Sequence, residues 1–188
     1  MEKEIIYYNT VSDNRTYTIA LSGITDKNPY FYNSQTASKY CIAEFLLSGK
    51  GTINIDNKTY YLKKDDFYIV PAGSNYEYFT EVDDPYQRYW ICLEGTLIEN
   101  LYNTYFNEEK IVIANADFSP YFKQIFSVLN KSNDDLTDEY DIPLLLHKLF
   151  LFAANNRSST KYFNSNSSKG SASAFKNYIC SNFSNPFS

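Results

Sequence analysis

Between Ser48 and Gly95 the chain runs Ser48-Gly-Lys-Gly-Thr52, then Pro71-Ala-Gly-Ser-Asn-Tyr76, then Tyr89-Trp-Ile-Cys-Leu-Glu-Gly95, with short apolar runs punctuated by glycine and proline. Gly49 and Gly51 bracket a turn into Thr52-Ile-Asn-Ile, Asp56-Asn57 makes a two-residue hairpin connection, and Thr59-Tyr-Tyr-Leu returns antiparallel. Lys63-Lys-Asp-Asp turns into Phe67-Tyr-Ile-Val, Pro71-Ala-Gly turns again, and Tyr76-Glu-Tyr-Phe-Thr continues the sheet towards Asp83-Asp-Pro. Short strands at this spacing predict a small β-barrel or sandwich.

Working outward, Tyr17-Thr-Ile-Ala-Leu-Ser-Gly predicts a strand, and the first ten residues read as a mobile arm. Tyr40-Cys-Ile-Ala-Glu-Phe-Leu-Leu is apolar on both faces except at Glu44, which predicts a strand buried between layers. After Gly95 the period changes. Phe118, Tyr121, Phe122, Ile125, Phe126 and Leu129 recur at helical steps, as do Ile142, Leu145, Leu149 and Phe152, predicting two amphipathic helices on the barrel or on a partner.

Asn130-Lys-Ser-Asn-Asp-Asp reads as a loop between these helices, and the Ser/Asn-rich stretch after Asn155 reads as a linker. Beyond it, Ala174, Phe175, Tyr178, Ile179 and Phe183 keep helical spacing, but one short helix after a flexible linker has little to bury against. The expectation is one domain over 1–156, a linker over 157–171, and at 172–188 the start of a further domain of a longer protein.

The 188 residues are 44% hydrophobic, with 19 Tyr and 14 Phe, which excludes a disordered chain. A net charge of -5 gives no field able to hold a phosphate backbone or an anionic membrane. Cys41, Cys92 and Cys180 are too scattered for a zinc site or a disulfide framework, so free buried thiols in a reducing compartment are expected. Met1-Glu-Lys-Glu is no signal-peptide start and no run of about 18 apolar residues occurs, which points to a soluble cytoplasmic protein.

Barrels of this kind often hold a metal through His-x-His and a Glu, since imidazole and carboxylate suit iron, manganese and zinc. The only histidine, His147, lies among aliphatics in a helical segment and reads as structural, so neither metal nor cofactor is expected. No His can serve as base for a strand Ser or Cys, and no phosphate-cradling glycine loop occurs.

One constellation remains: Tyr86, Arg88, Trp90 and Cys92 alternate onto one face of the last long strand, and Tyr76, Tyr78 and Thr80 share a face of the strand before it. A Trp ring stacks on the apolar face of a sugar while Arg, Glu and Tyr hydrogen-bond its hydroxyls. Alternatively Trp90 is core and Arg88 pairs with Glu44 or Glu77 to satisfy a buried charge. Spacing leaves both readings open.

Leu47-Ser-Gly-Lys-Gly, Tyr60-Tyr-Leu-Lys-Lys-Asp-Asp-Phe, Val70-Pro-Ala-Gly and Asp84-Pro-Tyr-Gln-Arg-Tyr-Trp-Ile-Cys-Leu-Glu-Gly together resemble the effector-binding half of AraC-family transcription regulators, over about residues 20 to 185. The resemblance implies a cupin-like (jelly-roll) barrel followed by an amphipathic helical pair, which binds a small effector and dimerises. It also implies a C-terminal domain with two helix-turn-helix motifs, whose first helix Phe175-Lys-Asn-Tyr-Ile-Cys-Ser-Asn-Phe resembles. It further implies that Thr25 in Ser22-Gly-Ile-Thr, Tyr78, Arg88 and Trp90 line the effector site. Tyr76 and Cys92 stand where many relatives have His, and the Arg that often precedes the long central strand is absent, Lys39 being the nearest cation, which makes Glu44 and Lys39 candidates for a different hydroxyl pattern.

The expected function is therefore sensing and dimerisation in a bacterial regulator that responds to a sugar. It would be a homodimer through its C-terminal helices, touch DNA only through the further domain, contact no membrane and perform no catalysis. The rival from another class is a metal-free sugar isomerase or epimerase using Glu44 or Tyr78 as acid/base. A polysaccharide-binding module would carry an export signal, which is absent.

Overall fold

The computed structural model describes residues 5–8, 16–56, 58–107, 109, 111–130 and 141–157. In chain order the strands are β1 (Ile5–Tyr8), β2 (Thr18–Thr25), β3 (Tyr32–Gln35), β4 (Cys41–Ser48), β5 (Lys50–Ile55), β6 (Lys58–Lys63), β7 (Asp66–Val70), β8 (Tyr76–Thr80), β9 (Gln87–Glu94) and β10 (Val112–Asn115). The helices are α1 (Thr96–Phe106), α2 (Ser119–Leu129) and α3 (Asp141–Asn155). The fold is mainly β with C-terminal helices, as the punctuation between Ser48 and Gly95 predicts.

Two antiparallel sheets enclose an interior: six strands in the order β1-β2-β9-β4-β7-β10, and four in the order β3-β8-β5-β6. Most neighbours are distant in sequence, so the chain crosses repeatedly between sheets in jelly-roll fashion. The β5–β6 hairpin closes at Ile55↔Lys58, where the Asp56-Asn57 signal falls. Gly49 turns β4 into β5 with φ 78, and a Cβ there would collide with the Pro85 carbonyl at 2.3 Å, so both backbone angle and space exclude a side chain.

Alternation sends β9 residues to two different interiors. Tyr89, Ile91 and Leu93 face the helices and join one core with Cys41, Ala43, Phe45 and Phe67, while Arg88, Trp90 and Cys92 face the space between the sheets. In β2, a bulge between Ile19 and Leu21 reverses the parity, so Ile19 packs under the helices and Leu21 turns to the inter-sheet space. The helical core is aromatic: Phe118 stacks on Phe67 with centroids 3.9 Å apart and planes at 8°. A smaller core between the sheets gathers Ile42, Leu46, Ile53, Tyr68, Tyr76, Tyr78 and Tyr86.

The expected helical pair is present as α2 and α3, and α1 joins it, making three helices among the described residues. Ile98, Leu101, Tyr102 and Phe106 are buried at helical steps on α1, but Glu99, Asn100, Asn103 and Thr104 between them dilute the pattern. The expected arm is in part a strand, since Ile5 to Tyr8 pair with Ile24 to Leu21. Arg157 closes the unit by bridging to Ala114 and pairing with Glu109. The loop after Asn130, most of the expected linker, the helix over 172–183, Asn57 and Cys180 lie outside the described residues.

Candidate functional site

Between the sheets lies a cavity of about 350 Å³, within the range of about 300–1,000 Å³ usual for small-molecule sites. β9 supplies Arg88, Trp90 and Cys92, β4 supplies Ile42 and Glu44, and β8 supplies Tyr76 and Tyr78. Phe31, Asn33 and Gln35 approach from β3 and its lead-in, and Ser38, Lys39 and Tyr40 from the loop before β4. The β4, β8 and β9 residues in this set follow from period-two alternation, because a strand turns alternate side chains to one face.

Four of the five residues singled out in the sequence meet here: Glu44, Tyr78, Arg88 and Trp90. Thr25 does not line the cavity. It is buried directly across from Arg88 in the β2–β9 register, which places it on the same face beyond the cavity wall. Lys39 stands at the rim, exposed, with its ammonium 3.0 Å from Glu94.

Glu44 sits at the crossing of three strands, opposite Trp90 on β9 and Tyr68 on β7. Its Oε2 accepts from Arg88 Nη1 at 2.7 Å and from the Tyr68 hydroxyl at 2.6 Å. Arg88 Nη1 also donates to the Tyr86 hydroxyl at 3.0 Å and Nη2 to the Tyr78 hydroxyl at 3.4 Å, which accepts in turn from Asn33 Nδ2 at 3.0 Å. Aromatic rings surround the guanidinium, with Cζ 4.3 Å from the Phe31 centroid, 4.8 Å from Tyr78 and 5.1 Å from Tyr86. Gly51 admits the Tyr86 ring, since a Cβ there would lie 2.4 Å from Tyr86 Cε1.

Burial holds the Glu44 carboxyl above its ordinary range, although Arg88 and hydrogen bonds from Tyr68 and Tyr78 oppose it. Burial alone would lower the Arg88 guanidinium, but Glu44 and the surrounding phenols outweigh it and hold the charged form firmly. With the cation pinned and two donors on one carboxylate oxygen, the ionised pair is the state that the geometry fits. Burial raises the Tyr68 and Tyr78 phenols well above their usual range and pushes the Cys92 thiol up to about 12, so all three stay neutral.

Two donors in this cavity have no partner: Trp90 Nε1 and Arg88 Nε. Trp90 is 8% exposed and Arg88 3%, so both N–H groups lie closed off within the cavity wall, and Asn33, Gln35, Ser38 and Tyr76 carry polar groups on its lining. The arrangement can therefore hold a molecule with apolar faces and a few acceptor oxygens.

The paired reading of Arg88 is realised with Glu44, whereas Glu77 lies on the outer sheet face and accepts from Tyr32 and Asn54. Phe31, Asn33 and Tyr68 escaped the sequence reading. Tyr68 lies in a run apolar on both faces, so parity alone does not aim it, and Phe31 and Asn33 precede or open a four-residue strand with no alternation to reveal it. Cys41 is buried and Cys92 half-buried, and neither is bridged. Among the described residues no three His, Cys, Asp or Glu gather where a metal ion could bind, and no helix is long and apolar enough to cross a membrane.

The family model described as AraC-like ligand binding domain matches residues 19–147. The Msm operon regulatory protein of Streptococcus mutans is 24% identical over 122 residues, 64% of this chain and 44% of that protein. The Lactose operon transcription activator of Staphylococcus xylosus is 24% identical over 131 residues, 65% of this chain and 47% of that protein. The chain thus spans less than half the length of the curated relatives it matches. Among solved structures, an apo variant of ToxT from Vibrio cholerae superposes with a TM-score of 0.52 at 8% identity, covering 95% of this chain and 69% of the other. Unsaturated-fatty-acid-bound wild-type ToxT gives 0.51 at 8% identity, covering 95% and 68%. At that identity the likeness speaks for the fold alone.

Proposed function

The chain belongs to the AraC-like ligand binding domain family, and from that membership we propose that it is the effector-sensing and dimerisation part of a bacterial transcription regulator responding to a sugar. The observation that carries this reading is the cavity of about 350 Å³ lined by Trp90, Tyr76, Tyr78 and Phe31. Flat apolar walls suit the C–H faces of a pyranose, and polar side chains on the lining such as Asn33, Gln35 and Ser38 suit its hydroxyls. Both curated relatives regulate operons, and the name of one specifies lactose.

Glu44, Tyr78, Arg88 and Trp90 would form the effector site, with Thr25 supporting Arg88 from the next strand. Dimerisation would use α3, where Leu144 and Leu151 stand 53% and 42% exposed a heptad apart. DNA contact would come from helix-turn-helix motifs beginning with the helical pattern at 172–188. Effector binding need only favour one arrangement of arm or helices over another by a few kcal/mol to switch such a protein.

Titrating a panel of mono- and disaccharides while following Trp90 fluorescence and melting temperature tests the reading. A ligand at 100 times its Kd should add about 2.7 kcal/mol of stability. No response from any sugar removes it.

A further inference from the structure

We propose that Glu44 makes this cavity select an uncharged effector: by neutralising Arg88 inside the barrel, it denies carboxylate and phosphate ligands the counter-charge they need. The inference deepens the sugar-sensing reading and rests on it for the identity of the site. An arginine pointing into a cavity ordinarily invites an anion. Here the invitation is already taken, because Glu44 Oε2 lies 2.7 Å from Arg88 Nη1 with both side chains almost wholly buried.

The remaining charges around the cavity do not restore it. Lys39 stands at the rim, largely exposed and paired with Glu94 at 3.0 Å, where solvent screens it. The tyrosines facing the guanidinium are neutral and engaged with it. An entering carboxylate would lose its hydration, find Arg88 matched and meet the Glu44 charge besides. A neutral polyol needs only uncharged hydrogen-bonding partners, and Asn33, Gln35, Ser38 and Tyr76 on the lining are of that kind.

Charge in the cavity can be read without knowing the effector, because Trp90 is the chain's only tryptophan and lines it. Its fluorescence is to be quenched with iodide, caesium and neutral acrylamide in the wild type and in Glu44→Gln. The wild type should show no preference for iodide over caesium once each is normalised to a free tryptophan analogue. Glu44→Gln should raise iodide quenching about threefold or more at low salt, as an uncompensated charge within reach of the ring requires, with acrylamide unchanged. In parallel, formate should raise the melting temperature of Glu44→Gln, or permit its refolding, where the neutral isostere formamide does not, and neither should act on the wild type.

A marked iodide preference in the wild type overturns the proposal whatever the variant does. So does a Glu44→Gln protein that answers formate and formamide alike and keeps the wild-type quenching pattern. Silence from the sugar panel alongside the expected quenching would fault the effector class alone, whereas a sugar response with iodide preference would fault only the charge selection.

Discussion

Arg88 and Glu44 form an ion pair across the interior of the barrel, Nη1 to Oε2 at 2.7 Å, with side chains 3% and 2% exposed. Two charges so placed have lost their water and depend on each other. Glu44→Ala should therefore cost about 3–5 kcal/mol, because it strands a buried cation. Replacing both residues with apolar side chains of similar volume should cost far less than the sum of the single changes. Urea unfolding of the wild type, the two single variants and the double variant measures the coupling, and a value near zero would show that the pair is not linked in solution.

Trp90 should separate binding from folding. Its N–H has no partner within the protein, so Trp90→Phe removes no internal hydrogen bond and keeps an aromatic wall. Stability should change by less than about 1 kcal/mol, or about 2–4 °C in Tm. Effector affinity should fall about tenfold, the worth of one hydrogen bond. Calorimetric titration with the responding sugar checks this, and unaltered affinity would remove Trp90 from the site.

Phe118 anchors α2 to the six-stranded sheet. It is fully buried, stacks on Phe67 at 3.9 Å and lies 5.9 Å from Phe45. Phe118→Ala should cost about 3–5 kcal/mol through lost burial and the void left behind. A loss under about 1 kcal/mol in denaturant melts would mean that the layer can collapse around the gap.

Alkaline pH should destabilise the domain, whereas neutral pH leaves it at full stability. Burial raises the Cys92 thiol from 9.0 to about 12 and holds the Tyr68 and Tyr78 phenols well above 10.0. A folded-state pKa above the unfolded one means that the stabilisation is complete below the unfolded value and is lost as pH rises through the folded one. Stability should therefore be level up to about pH 9 and fall steeply beyond it. Tm measured across that range checks the slope, and Tyr78→Phe should make it shallower.

Leu144 and Leu151 test dimerisation. Because both are exposed on α3, changing either to Asp should leave the unfolding free energy of the monomer within about 1 kcal/mol of the wild type while converting a dimer to a monomer in sedimentation. A wild type that is monomeric at high concentration would remove this surface from consideration.

Much of the barrel was legible because its signals are local. Gly49 needs a positive φ, Pro71-Ala-Gly turns, and Arg88, Trp90 and Cys92 alternate on a strand long enough to show a period. α1 was hidden because polar residues break up its short apolar stripe. β3 and β10, at four residues each, show no period that separates them from loop.

By itself the sequence determined the class of fold, the face of β9 that turns inward and the absence of a histidine pair, since turn chemistry and period-two alternation are properties of neighbouring residues. Only the tertiary structure decided that Arg88 meets Glu44 rather than Glu77, that Tyr68 joins them and that Thr25 stands outside the cavity. Those outcomes depend on sheet order and register, which bring together β4, β7 and β9, strands far apart in the chain. A bulge such as the one after Ile19 shifts which side chains share a face, and nothing adjacent in the sequence announces it.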